Sequence, residues 1–378
     1  MRRRPALGAL ALSALTLAAA ACAPKDGEGI ATAKASADPT PAPASSSSSS
    51  QVVTTAPKPP VWPLTGMPLA DPAPADHPAV AVKIDNSPDA RPHTGVNQAD
   101  VVYELRVEGI TRLAAIFHST PADPVGPVRS ARSSDLNLLA DLNRPLLAWS
   151  GGNPGVTEAV QGAAATGFLV DVSHQAATPD YYRDGQRVAP HNLYTSVSAL
   201  LQHHTPDGAG PPPQLFSYRG AGDALPASAA DAPGITIDFG QNVRTDYAWD
   251  PARGCWARYQ VDERHPRGRS SFVDSDGAQV CPQNLVVQFV PYNPDTVDAR
   301  SPKAETVGSG DALVLTAGKM IAGRWSRETP LNTTTLTDAA GAPIALTPGR
   351  TWVELPETGG PAVIPLDGGA AGGLLSGG

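Results

Sequence analysis

Two guanidinium groups stand three residues apart in the run Gly126-Pro127-Val128-Arg129-Ser130-Ala131-Arg132, just ahead of a predicted helix at Ser134–Leu142. Ser133 or Ser134 can cap that helix, with Asp135 in its first turn. Arginines beside a helix N-terminus suit an anion such as phosphate or carboxylate, although Asp135 partly cancels their field. Internal pairing of Arg129 and Arg132 with Asp85, Glu104 or Glu108 is the competing reading. Upstream, Lys83 and Asp85 close a strand, and Glu104, Glu108 and Arg112 sit on a hairpin. Downstream, Pro190-His191-Asn192-Leu193-Tyr194-Thr195 supplies an imidazole able to exchange a proton near neutrality. The candidate ligand-binding set is therefore Lys83, Asp85, Glu104, Glu108 and Arg112, with Arg129, Arg132, His191 and Asn192.

Known catalytic patterns do not match this set. Glu104 and Glu108 lie about 13 Å apart along a strand, whereas paired glycosidase carboxyl groups need roughly 5–9.5 Å. No Gly-x-Ser-x-Gly elbow precedes His191, and residues 61–210 contain no cysteine to act as nucleophile. His174, His203 and His204 lack His-Glu-x-x-His spacing, so no metal and no cofactor are expected. The residues leave catalysis open and favour binding over turnover, with an ion-pair ladder as the purely structural alternative.

Several elements must position these side chains. Ala79–Ile84 reads as a strand, and Asp100–Glu108 with Thr111–Phe117 as a hairpin turning at Gly109. Period-two alternation puts Glu104, Arg106 and Glu108 on one face, and Tyr103, Leu105 and Val107 on the other. Further strands are predicted at Pro145–Ser150 and Phe168–Val172, with helices at Val156–Gly162 and Ser196–His203. This half, residues 61–210, reads as an α/β or α+β domain with a mixed sheet. A breaker-rich joint at 211–233 follows. Residues 234–360 show short apolar runs with regular turn punctuation, the pattern of a mainly β domain. The Gly- and Ala-rich segment 361–378 reads as a flexible tail.

The amino terminus carries an address. Met1-Arg2-Arg3-Arg4 is basic, Ala6–Ala21 is apolar and too short to span a bilayer, and Cys22 follows at once. Ala19-Ala20-Ala21-Cys22 resembles the lipobox of bacterial lipoproteins, with alanine where leucine is commoner; an ordinary cleavage site near Ala21 is the other reading. Residues 1–22 are thus expected to be a signal peptide with Cys22 lipidated. Residues 23–60, dominated by Ser, Thr, Pro and Ala, are expected to form a disordered tether with an r.m.s. span of about 30–35 Å. The expected location is the outer face of the cell membrane, held by lipid. A net charge of −8 argues against nucleic acid as a partner. In an oxidising exterior Cys255 and Cys281 could form a bridge adding about 3 kcal/mol. Two buried thiols are the alternative.

The segments PLTGMP, VKIDNSPDARPHTGVNQADVVYELRVEGITRLAAIFHS, GPVRSARSSD, SGGN and APHNLYT resemble the YerB-like lipoprotein family, domain of unknown function 3048. NLVVQFVPY, GSGDALVLTAGKMIAGRW and PIALTPGRTWVEL resemble that family's C-terminal domain. The resemblance covers most of residues 64–356. The turn Val107-Glu108-Gly109-Ile110 departs from it, with one glycine where two are expected. It implies a two-domain envelope lipoprotein and supplies no reaction. Together these readings point to a membrane-anchored extracytoplasmic protein that binds an anionic or glycan envelope ligand, or another envelope protein. A structural or interaction role is the alternative, and a hydrolase or transferase of wall glycan or phosphodiester ranks below it.

Overall fold

The computed structural model describes residues 60–240, 243–261, 269–361 and 363–377. The signal segment, Cys22 and the tether up to residue 59 lie outside the described residues. The first half contributes strands β1 (Val80–Asp85), β2 (Val101–Arg106), β3 (Thr111–Phe117), β4 (Leu146–Ala148), β5 (Val170–Asp171), β6 (Tyr181–Arg183) and β7 (Leu193–Thr195). Its helices are α1 (Ser134–Leu139), α2 (Pro154–Ala165) and α3 (Val197–His204). Next come β8 (Ala230–Asp231), β9 (Gly234–Asp238), β10 (Arg244–Asp250), β11 (Cys255–Val261) and β12 (Arg269–Ser271). The chain continues through β13 (Asn284–Gln288), β14 (Tyr292–Pro294), β15 (Pro302–Ala304), β16 (Gly308–Thr316), β17 (Lys319–Arg327) and β18 (Thr335–Asp338). It closes with β19 (Thr351–Leu355), β20 (Val363–Leu366) and α4 (Gly368–Ser376). A mixed sheet with few helices in the first half, followed by mainly β structure, is what the sequence pattern implied.

One large sheet runs through both halves in the order β18-β17-β16-β13-β19-β2-β3-β1-β4-β5. The join is β19 against β2, parallel and in register from Thr351 opposite Val101 to Leu355 opposite Leu105. Both joined strands are buried on both faces, as a central parallel pair must be. Alternation sorts their side chains into two cores. Val80, Val82, Ile84, Leu113, Ala115 and Trp352 enter one core, closed by α3 and by a second sheet ordered β12-β11-β10-β9-β20. Ala81, Tyr103, Leu105, Ala114 and Val353 enter the other, closed by α1 and α2 through Leu138, Val156 and Val160. The sheet is therefore the wall between two interiors.

Two expectations are corrected. The alternation stops at Arg106, where β2 ends, so Glu108 belongs to the turn and does not share the face of Glu104. The segment after Pro361 is no flexible tail in its described residues: Val363–Leu366 pairs antiparallel with β9, and Asp367 caps α4 by accepting from the Ala370 N–H. Ala371 of that helix is buried, which anchors it despite its glycines. The joint at 211–233 is packed as well, with Leu215 and Phe216 buried and β8 paired to β17. Cys255 and Cys281 form a disulfide with Cα atoms 5.3 Å apart.

Candidate functional site

Asp85 ends β1 on the same face as Lys83, opposite Arg112 of β3. Its carboxylate receives three groups from distant parts of the chain. The Ser87 N–H donates to Oδ1 at 3.1 Å, His191 Nδ1 lies 2.7 Å from Oδ2, and Arg129 Nε lies 3.1 Å from Oδ2. Burial opposes its charge, but the Ser87 N–H, His191 and Arg129 more than offset this and hold its pKa below the usual carboxylate value.

Backbone pairing explains why Arg129 arrives here. The Asp85 N–H donates to Pro127 O at 2.9 Å and the Arg129 N–H to Lys83 O at 2.7 Å, so residues 127–129 lie alongside the end of β1. On their other side, the Val128 N–H donates to Leu193 O at 2.6 Å. Gly126 permits that approach, since a Cβ there would stand 2.7 Å from the Tyr194 ring and 2.8 Å from Leu193 O. His191 and Arg129 are neighbours because these two loops are laced together.

Arg112 is 96% buried, being 4% exposed, and no carboxylate among the described residues lies within 4.0 Å of it. Nη1 donates to Ser130 O at 3.2 Å, while the buried Nε has no partner. Burial, with the repulsion of Arg132 next, lowers its pKa to about 10. The terminal nitrogens of Arg129 make no hydrogen bond among the described residues, and its side chain is 28% exposed. His191 Nδ1 is also 3.0 Å from Ser87 Oγ, and its Nε2 has no partner among the described residues. Asp85, His191, Arg129 and Arg112 thus form one cluster with uncommitted cationic and basic ends.

The remaining candidates are closed off. Lys83 is fully buried against Asp135 at 2.7 Å, and burial lowers its pKa despite that partner. Arg132 holds Glu108 through two parallel bonds of 2.9 and 2.8 Å, which keep the Glu108 carboxyl low against partial burial. Asn192 donates to Asp184 O and Arg187 O and accepts from Arg183, so it fixes the loop that carries His191.

Glu104 lies across the sheet, in the other interior. There it accepts from Thr111 Oγ1 at 2.6 Å, Asn86 Nδ2 at 3.2 Å and Arg258 Nη2 at 2.7 Å. Arg258 reaches over from the second sheet, its guanidinium 3.8 Å from the Phe272 ring centre and 4.8 Å from that of Trp352. Glu354 is the strand neighbour of Glu104 and receives the Tyr247 hydroxyl. Burial first, then the Glu104 charge, raises the Glu354 pKa well above the usual value, which favours its protonated form beside Glu104. Sequence reading missed Arg258, Glu354 and Tyr247. A charge inside an otherwise apolar strand, as in Cys-Trp-Ala-Arg and Thr-Trp-Val-Glu, is the signal that marks the first two.

Residues 64–209 match the family described as protein of unknown function (DUF3048), N-terminal domain, and residues 235–353 match its C-terminal domain. The chain belongs to this family. It is 27% identical over 304 residues to a Bacillus subtilis protein named "Putative lipoprotein YerB", covering 78% of this chain and 85% of that one. The crystal structure of the YerB protein from Bacillus subtilis superposes with a TM-score of 0.64 at 22% identity, over 78% of this chain and 96% of that one. That likeness establishes the shared fold. Among the described residues no helix is long and apolar enough to cross a membrane.

Proposed function

We propose that this protein is an extracytoplasmic lipoprotein, anchored through Cys22, that binds an anionic envelope ligand at the Asp85–His191–Arg129–Arg112 cluster. The anchor reading rests on the basic and apolar leader ending at Cys22 and on the lipoprotein name of its relative. One observation carries the binding reading: among the described residues, Arg112 is a buried guanidinium without a carboxylate partner, beside Arg129 with both terminal nitrogens unengaged. A buried charge left unpaired is costly, and an anion seated there supplies the missing acceptor. Guanidinium forks suit phosphate or carboxylate oxygens, so a phosphate-bearing ligand is the natural class.

A second reading is favoured by the histidine. With Nδ1 directed at Asp85, the His191 Nε2 lone pair is left as the basic site, the orientation required of a general base acting on a phosphodiester. Calorimetric titration of the full chain in detergent with inorganic phosphate and polyphosphate tests binding. The expected result is saturable binding that Arg129→Ala weakens at least tenfold while the melting temperature stays put. No heat with either probe would sink the proposal. Release of p-nitrophenol from bis(p-nitrophenyl) phosphate, lost in His191→Ala, would establish the catalytic reading. Membrane retention that survives Cys22→Ala would remove the anchor.

A further inference from the structure

A cavity of about 440 Å³ opens at the N-terminal ends of β2 and β19, between Thr65 and Met67, the 97–100 turn, Ser119-Thr120, Gln283 and the 348–350 turn. Its size lies within the range of small-molecule sites. Both halves of the chain build it, and it shares no residue with the Asp85 cluster. Its polar groups are mostly neutral amides and hydroxyls. Its two charged members are already engaged: Asp100 accepts from the His118 N–H, the Ser119 N–H and Ser119 Oγ. Arg350 donates to Asn97 O and to Cys281 O.

Three amide ends are not fully engaged. Gln98 Oε1 is buried without a donor, and Gln98 Nε2 makes no hydrogen bond among the described residues. Gln283 uses its Oε1 to accept from the Arg350 N–H at 2.9 Å, which leaves its Nε2 unused among the described residues. Gly349, at φ +144°, lets Gln283 lie this close, since a Cβ would stand 2.6 Å from it. The turn carrying Gln98 is rigidly held, because Asp274 accepts the Gly95 and Asn97 N–H groups at 3.0 and 2.9 Å while Arg350 grips Asn97 O. The frame holds the unused amide groups of Gln98 and Gln283 in place at the cavity wall.

We infer that this cavity binds a saccharide unit, with Gln98, Gln283 and Thr120 reading its hydroxyl groups. Each sugar hydroxyl both donates and accepts, which matches an acceptor lacking a donor beside a donor lacking an acceptor. The free hydrogen-bonding groups here are amides, since both terminal nitrogens of Arg350 already donate to carbonyl oxygens. Met67, 45% exposed at the rim, offers an apolar edge to the C–H face of a ring.

Saturation-transfer NMR on the full chain with glucose, N-acetylglucosamine and the β-1,4-linked trimer of N-acetylglucosamine tests this. Transfer to at least one of the three is expected, weakened at least tenfold in Gln98→Leu. The melting temperature of Gln98→Leu should hold or rise, since the substitution removes an unsatisfied acceptor. Thr120→Val provides an independent arm and should also weaken transfer. Transfer that persists in Arg129→Ala supports a site separate from the anion cluster. Absence of transfer to all three sugars, or equal transfer in both cavity variants, overturns the inference whatever phosphate does.

Discussion

The two polar clusters on either side of the central sheet use the same residue types to opposite ends. On one side, Glu104 sits under Arg258 with Thr111 and Asn86 completing its bonds, and both charged side chains are fully buried. On the other, Asp85 gathers His191 and Arg129, both partly exposed, beside an Arg112 that lacks a carboxylate. Strands of one sheet supply both carboxylates, so composition does not separate them. What separates them is the layer laid over each face. The second sheet caps Glu104 and brings its counter-charge, whereas loops cover Asp85 and leave donors unused.

Substitutions can break that contrast, and the largest effect should come from the closed side. Arg258→Ala strands the Glu104 charge in the core and should cost ~3–5 kcal/mol in denaturant unfolding. A loss under 1 kcal/mol would mean that the network is not the clamp between the halves.

Acid should expose the next difference. His93 donates through Nε2 to Asp85 O at 2.6 Å and lies fully buried, and burial lowers its pKa to about 3. The unfolded chain binds a proton near pH 6.5 that the folded chain refuses, so stability must fall as pH drops from about 6.5 towards 3. The full window corresponds to roughly 4–5 kcal/mol. His118, lowered to about 4 chiefly by burial, adds to the same limb. His93→Gln should flatten the stability–pH curve in this window, and an unchanged slope would assign the acid limb elsewhere.

Within the closed cluster, two strand-neighbouring glutamates should respond unequally. Burial and the Glu104 charge favour the protonated form of Glu354, so Glu354→Gln should shift stability by less than about 1 kcal/mol at pH 7, whereas Glu104→Gln leaves Arg258 unpaired and should cost ~3 kcal/mol or more. Equal losses would show that the proton is not held on Glu354. The smallest effect belongs to the open side. Arg129→Ala removes a partly exposed pair and should change unfolding free energy by no more than ~1 kcal/mol. A larger loss would make Arg129 a structural residue and close the comparison.

The first-half sheet was largely legible because its strands alternate cleanly and its two longer helices carry caps; the expected cap on α1 is not made, since Ser133 Oγ donates to Asp295 and Ser134 Oγ accepts from the Ala304 N–H. Asn153 accepts from the Val156 N–H and Ser196 from the Ala199 N–H, both in the first turns of helices the pattern anticipated. Glu108 was misplaced because alternation is a rule about strands and its strand had ended. The final segment was misjudged because glycine and alanine describe intrinsic preference, while pairing with β9 and burial of Ala371 come from tertiary contact. Of the nine candidate residues, internal pairing was legible for two: Arg132 meets Glu108 and Arg129 meets Asp85, both among the pairings the sequence offered, whereas the Lys83–Asp135 pair was not.

By itself, the order of residues determined local periodicity, turn positions, family membership and the charges placed on strands, since these depend on neighbours along the chain. Only the folded arrangement decided which charges are quenched. Arg258 reaches Glu104 across 154 positions, and His191 reaches Asp85 across 106. Whether a buried charge finds a counter-ion depends on which layer packs over its face, and no local pattern encodes that choice.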